Sequence, residues 1–113
     1  MPDRPAKILL EDVLEAIAKI EKYTAEFSLQ EFSASDMVMD AVVRNIEVIG
    51  EACEQLPASF LNEHTEVEWH KPVSMRNRLI HGYFSVDTVL LWNTVTAVLP
   101  GFKKQITHLL NSL

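Results

Sequence analysis

Two arginines, an asparagine, a histidine and a tyrosine fall within the stretch RNRLIHGY, residues 76–83. Arg76 supplies a permanent positive charge and a flat fork of donors that matches phosphate oxygens. His81 has a side chain whose ordinary pKa, near 6.5, lets it take or give a proton close to neutrality. Together they can in principle cleave RNA without a metal. A base takes the proton from the ribose 2′-OH, which attacks the adjacent phosphorus. An acid protonates the departing 5′ oxygen, and a cation stabilises the crowded phosphorane. Asn77 could orient either side chain through its amide. Tyr83 lies two positions beyond His81 and would present its hydroxyl to the same groove.

Helical geometry complicates the pairing. Five positions on a regular helix turn through about 500°, so Arg76 and His81 diverge by roughly 140°. A long arginine spans part of that gap. A twofold dimer would span it better, because two copies of the segment would meet at one groove and double its positive charge. Plainer roles stand beside the chemical one. Arg76 could pair with an acid such as Glu47 or Glu51, and His81 could satisfy carbonyls at a helix C-terminus.

The chain has 113 residues, a formal net charge of −6 and 48 % apolar residues. That length suits a single domain over 1–113 with one apolar core. The charge excess disfavours non-specific nucleic-acid binding. Its distribution is uneven: no acid lies between Glu68 and Asp87, while Lys71, Arg76, Arg78, His70 and His81 do. Lys71, Arg78 and Arg44 are therefore candidate RNA-backbone contacts. No apolar run is long enough to span a bilayer, and the acidic start does not read as a signal peptide. Cys53 is the sole cysteine and suits a core position. A cytoplasmic location is expected. No cofactor is expected. His64 and His70 match no standard zinc spacing, so no metal site is assigned.

The elements that must hold Arg76 and His81 read as helices. Leu10, Val13, Leu14, Ile17 and Ile20 form an apolar stripe over residues 6–24. EFSLQEFSAS reads as a polar break plugged by Phe27 and Phe32. Ser33 or Ser35 can cap a long helix over about 35–56, lined by Val38, Val42, Ile46, Ile49, Cys53 and Leu56. Gly50 in its middle costs about 1 kcal/mol against alanine, a cost that close approach of another backbone would explain, in the monomer or at a dimer contact. After Pro57 come a short helical turn and a loop returning at Trp69. Pro72 opens a helix over about 72–81 that Gly82 ends. Asp87 caps the next helix, which Pro100–Gly101 kinks or breaks. Trp69 and Trp92 read as core anchors, and His108 as a surface or packing residue. The expected fold is all-α, a mostly antiparallel bundle of four to five helices.

The wider pattern closely resembles the HepT-like toxins of the HEPN superfamily. Their R-x4-6-H signature, here R-x4-H-x-Y, is matched by Arg76, His81 and Tyr83, with Asn77 as the polar residue after the arginine. ILLEDVLEAIAKIEKYT (8–24) is similar to the family's first helix. DAVVRNIEVIGEACEQLP (40–57) is similar to its second, with Arg44, Asn45, Gly50, Glu51 and Ala52 as an RN-x4-GEA element. The resemblance implies a homodimer whose R-x4-H segments line a cleft at the twofold axis, acting as a metal-independent ribonuclease. It implies a partner, an MntA-type minimal nucleotidyltransferase antitoxin, that silences the toxin by transferring AMP to the motif tyrosine, Tyr83. It also admits an alternative, a non-catalytic subunit that binds a nucleotidyltransferase.

Overall fold

The computed structural model describes residues 4–79 and 87–113. All regular structure among these residues is helical. Helix α1 (Ala6–Thr24) buries Leu10, Val13, Ile17 and Ile20 of the stripe read from the sequence, adds Leu9 and Ala16 to it, and leaves Leu14 half-buried. Glu26, at φ 65°, turns the chain out of α1. The segment expected to be a polar break instead forms a short helix, α2 (Leu29–Ser33). Its start is a reciprocal cap: the Glu31 N–H donates to Ser28 Oγ at 3.1 Å and the Ser28 N–H donates to Glu31 Oε1 at 2.9 Å. Hydrogen bonding from Ser28, its backbone N–H first and its side chain second, holds the Glu31 carboxyl below its usual pKa. α2 delivers Phe32 into the core, fully buried, where its ring meets Trp92 at 5.0 Å between centroids.

Helix α3 (Asp36–Glu54) is capped by Ser35, whose Oγ accepts from the Val38 N–H. It buries Val42, Ile46, Ile49, Ala52 and Cys53 and packs along α1 as the main seam of the core. Burying each such aliphatic side chain stabilises the fold by roughly 1.5–3 kcal/mol. α3 ends three residues before Pro57, which instead starts α4 (Ala58–Glu63). The loop after α4 is pinned by Trp69, whose Nε1–H donates to the His64 carbonyl at 2.8 Å. Helix α5 (His70–Leu79) follows, with Pro72 in its first turn and Pro72 and Leu79 buried.

Asp87 caps α6 (Thr88–Asn93) by accepting from the Leu90 N–H, as expected. The chain then stays helical to Ser112 through a widened π turn, Thr94–Val98, and α7 (Leu99–Ser112). Within that turn the Leu99 N–H donates to the Thr94 carbonyl, five residues back. Pro100 explains the widening. It has no N–H to offer the Thr96 carbonyl, and its ring would crowd that carbonyl in a regular α-helix. The expected break at Pro100–Gly101 is thus a bulge just before it. α7 packs on α1 through Phe102, Ile106 and Leu109. No helix among the described residues is long and apolar enough to cross a membrane.

Candidate active site

The site is built on α5. At about 100° per residue, positions 72, 76 and 79 share one stripe. Two of them, Pro72 and Leu79, are buried anchors. Arg76 therefore lies on the inward stripe of its helix, facing α3. A guanidinium there needs room and a partner, and α3 provides both. Gly50 supplies the room: a methyl added to it would stand 3.1 Å from Arg76 Cδ, 3.2 Å from Nη1 and 3.5 Å from Cβ. Glu54, one turn further along α3, supplies the partner, with Arg76 Nη2 donating to its Oε1 at 2.5 Å. The Arg76 side chain is left only 22 % exposed.

Gly50 is thus explained by a close approach, but of the Arg76 side chain and not of another backbone. The ion-pair partner is Glu54, where the sequence pointed to Glu47 or Glu51. Those two glutamates nevertheless share the site. Glu47, Glu51, Glu54, Arg76 and Asn77 line one cleft of about 440 Å³. The acid-free interval around Arg76 in the sequence is therefore not acid-free in space, because α3 brings three carboxylates beside it. Glu54 is the residue sequence reasoning missed. Its signal was present in the i,i+4 spacing from Gly50, which puts both on the stripe that faces Arg76.

Asn77 is exposed at the cleft beside Arg76. His81 and Tyr83 lie outside the described residues. Arg44 is exposed on α3, two turns before Glu51 and so about 10 Å along the helix from it, and does not line the cleft. Asn45, its neighbour in the RN element, is buried and donates to the Ala41 carbonyl at 2.8 Å, a bond internal to α3. Lys71 and Arg78 sit on the other flank of α5, where they line a separate groove. Lys71 pairs with Glu68 at 3.1 Å, and that hydrogen bond holds the Glu68 carboxyl below its usual pKa.

His64 has its Nδ1 3.5 Å from Glu66 and its ring 4.5 Å from that of Phe60. No group of three or more His, Cys, Asp or Glu among the described residues is placed to hold a metal ion. Cys53 is buried, and loss of solvent raises its thiol pKa to about 12.

A chain whose described residues are all-helical, with an arginine of an R-x4-H pattern in a polar cleft, has features in common with the HEPN ribonucleases. The comparisons define the family: the ribonuclease HepT-like family model matches residues 13–109, and the chain belongs to that family. It is 40 % identical over 106 residues to "Probable ribonuclease HepT" of Thermococcus cleftensis, covering 94 % of this chain and 96 % of that one. It is 36 % identical over 106 residues to "Putative RNase MJ1380" of Methanocaldococcus jannaschii, covering 94 % and 97 % of the two chains. "Putative RNase TTE0752" of Caldanaerobacter subterraneus is 33 % identical over 101 residues, covering 89 % and 90 %. No solved structure matches.

Proposed function

We propose that this member of the HepT-like family is a metal-independent endoribonuclease that acts as the toxin of a toxin–antitoxin pair. The observation that carries the reading is the seating of Arg76. A solvated arginine would sample many positions, whereas this one is braced against Gly50 and oriented by Glu54. One bond to Glu54 occupies one of its five N–H donors, and the rest of the fork can serve a phosphate. In this reading Arg76 binds and polarises the scissile phosphate, and Asn77 orients it. His81 is the general acid or base for 2′-OH attack and 5′-oxygen departure, leaving a 2′,3′-cyclic phosphate. Arg44, Lys71 and Arg78 contact the RNA backbone.

A homodimer would supply this chemistry with its second group: two copies of the 76–83 segment bring two histidines, one to act as base and one as acid, to a shared groove. Each copy also brings Glu47, Glu51 and Glu54 beside its Arg76, so the excess negative charge of the cleft opposes RNA docking in the dimer as in the single chain. Silencing would follow from AMP transfer to Tyr83 by an MntA-type nucleotidyltransferase, since an added phosphate beside the site repels and blocks the RNA strand.

The test is RNA cleavage by purified, unmodified protein in EDTA. Wild type should cleave, and Arg76→Ala and His81→Ala should not; unchanged cleavage by His81→Ala refutes the assignment. Co-expression with the nucleotidyltransferase should add adenylate mass that Tyr83→Phe does not acquire. The same three glutamates favour a second reading, a non-catalytic subunit of a nucleotidyltransferase. Growth arrest on expression alone, relieved by Arg76→Ala, decides against it.

A further inference from the structure

The α5 helix has two working flanks. Arg76 and Asn77 occupy one. On the other, Lys71, Ser74, Met75 and Arg78 fall within about 100° of one another around the helix. They face the turn where α6 enters the π bulge, and a groove of about 360 Å³ lies between. That volume is within the roughly 300–1,000 Å³ range of small-ligand pockets.

We propose that this groove is a nucleotide subsite of the RNA substrate, away from the scissile bond. The inference rests on the ribonuclease reading above, which already gives Lys71 and Arg78 backbone contacts, and extends it to Met75, Leu90 and Asn93, which that reading does not use. Charge complementarity names the occupant. In a protein of net charge −6, the described lining of this groove contains no acid, while His70, Lys71 and Arg78 all line it; Lys71 is paired with Glu68 outside the lining, so Arg78 carries most of the charge argument. Arg78 forms no ion pair among the described residues, in contrast to Arg4 and Arg76, which are paired with Asp12 and Glu54. Its guanidinium is free to take a phosphate. Met75 and Leu90 give the groove apolar walls against which a base face can lie. Asn93, exposed at the last position of α6, offers both a donor and an acceptor to a base edge. A cationic rim, apolar walls and an amide are the parts that bind one phosphate and one base of a single strand.

The bulge contributes to the shape. In an unbroken α-helix the wall after Asn93 would run straight. The π turn instead carries an extra residue per turn at the groove, a distortion frequent where helices line binding sites. Buried Thr94 stabilises it by donating its hydroxyl to the Leu90 carbonyl at 2.9 Å. A strand held here and at Arg76 crosses α5, so binding at the groove sets which phosphate reaches Arg76.

The experiment compares wild type, Arg78→Ala and Asn93→Trp, the last filling the groove from an exposed position. Steady-state cleavage of single-stranded RNA is measured alongside the Kd of an uncleavable 2′-O-methyl strand at several salt concentrations. Circular dichroism checks that each variant is folded. Expected is a rise of about tenfold in KM and Kd for both variants, with kcat within about twofold. The salt slope for Arg78→Ala should fall by about one. Wild-type KM and Kd in both variants, with wild type cleaving and Arg76→Ala inert, overturn the subsite and the Arg78 backbone contact and leave the ribonuclease chemistry at Arg76 standing. Wild-type KM and Kd with a changed molecular mass assign the groove to a second copy of the chain and also overturn it. Wild type that neither cleaves nor binds RNA overturns both readings.

Discussion

Gly50→Ala should separate stability from activity. Alanine is favoured over glycine inside a helix by about 0.8–1.0 kcal/mol. Against that gain stands the new methyl, 3.1 Å from Arg76 Cδ and 3.2 Å from Nη1. Both atoms belong to the far part of a flexible side chain, so the arginine can yield by a few tenths of an ångström while α3 keeps its place. Yielding weakens the bond to Glu54. With the two side chains 22 % and 48 % exposed, that pair contributes at most about 1 kcal/mol. The variant should therefore be between neutral and about 1 kcal/mol more stable, a rise of up to about 4 °C in Tm. Its kcat/KM on RNA should fall about 3- to 10-fold, because a shift of a few tenths of an ångström forfeits part of the roughly 100-fold that a 1 Å misplacement costs. Two controls sharpen the test. Gly101→Ala, where the added methyl meets nothing within 4 Å, should gain similar stability with no loss of cleavage. On an Arg76→Ala background, Gly50→Ala should add its full stability gain, since the obstruction is gone. A Gly50→Ala protein with wild-type kcat/KM refutes the argument that Gly50 seats the arginine. A Tm fall of more than about 10 °C refutes the claim that the side chain absorbs the clash.

Glu54→Gln removes one of three carboxylates from the Arg76 cleft, so KM for RNA should drop a few-fold while stability changes by less than about 1 kcal/mol; a raised KM contradicts a competition between Glu54 and phosphate. With its thiol pKa pushed up to about 12, Cys53 is only about one part in ten thousand thiolate at pH 8, so iodoacetamide should label it at a rate set by unfolding. Labelling of the native protein should stay slow below the raised pKa and should accelerate sharply in denaturant; fast native labelling at pH 8 contradicts the burial. Phe32→Ala, at a fully buried ring tilted against that of Trp92, should cost about 3–5 kcal/mol by chemical denaturation and change Trp fluorescence; a loss below about 1 kcal/mol would place α2 outside the core.

Much of this fold was legible in the sequence because its signals are local. The stripe of α1, the Ser35 and Asp87 caps, and the start of a helix near Pro72 each depend on neighbours a few residues away. α2 was passed over because five residues carry too little periodicity, although Ser28 and Glu31 spell a capping box. The consequence of Pro100 was legible but its form was not: whether a helix breaks or bulges depends on packing that holds α6 and α7 in line. The arginine was singled out by its pattern, yet its partner was not, because the Arg76–Glu54 bond joins residues 22 apart on different helices. Likewise an interval without acids says nothing of acids that another helix brings alongside. The glycine at 50 was recognised as an expense in need of a cause, and only the packing of α5 on α3 names it.

The bare backbone at position 50 ties two distant sites into one unit of inheritance. A descendant that abandons its guanidinium at 76 no longer needs the notch, and the helix then gains from any small side chain there. Silent and active members of the family should therefore differ at both positions together, so that a residue carrying no functional group becomes a marker of whether the chemistry is retained.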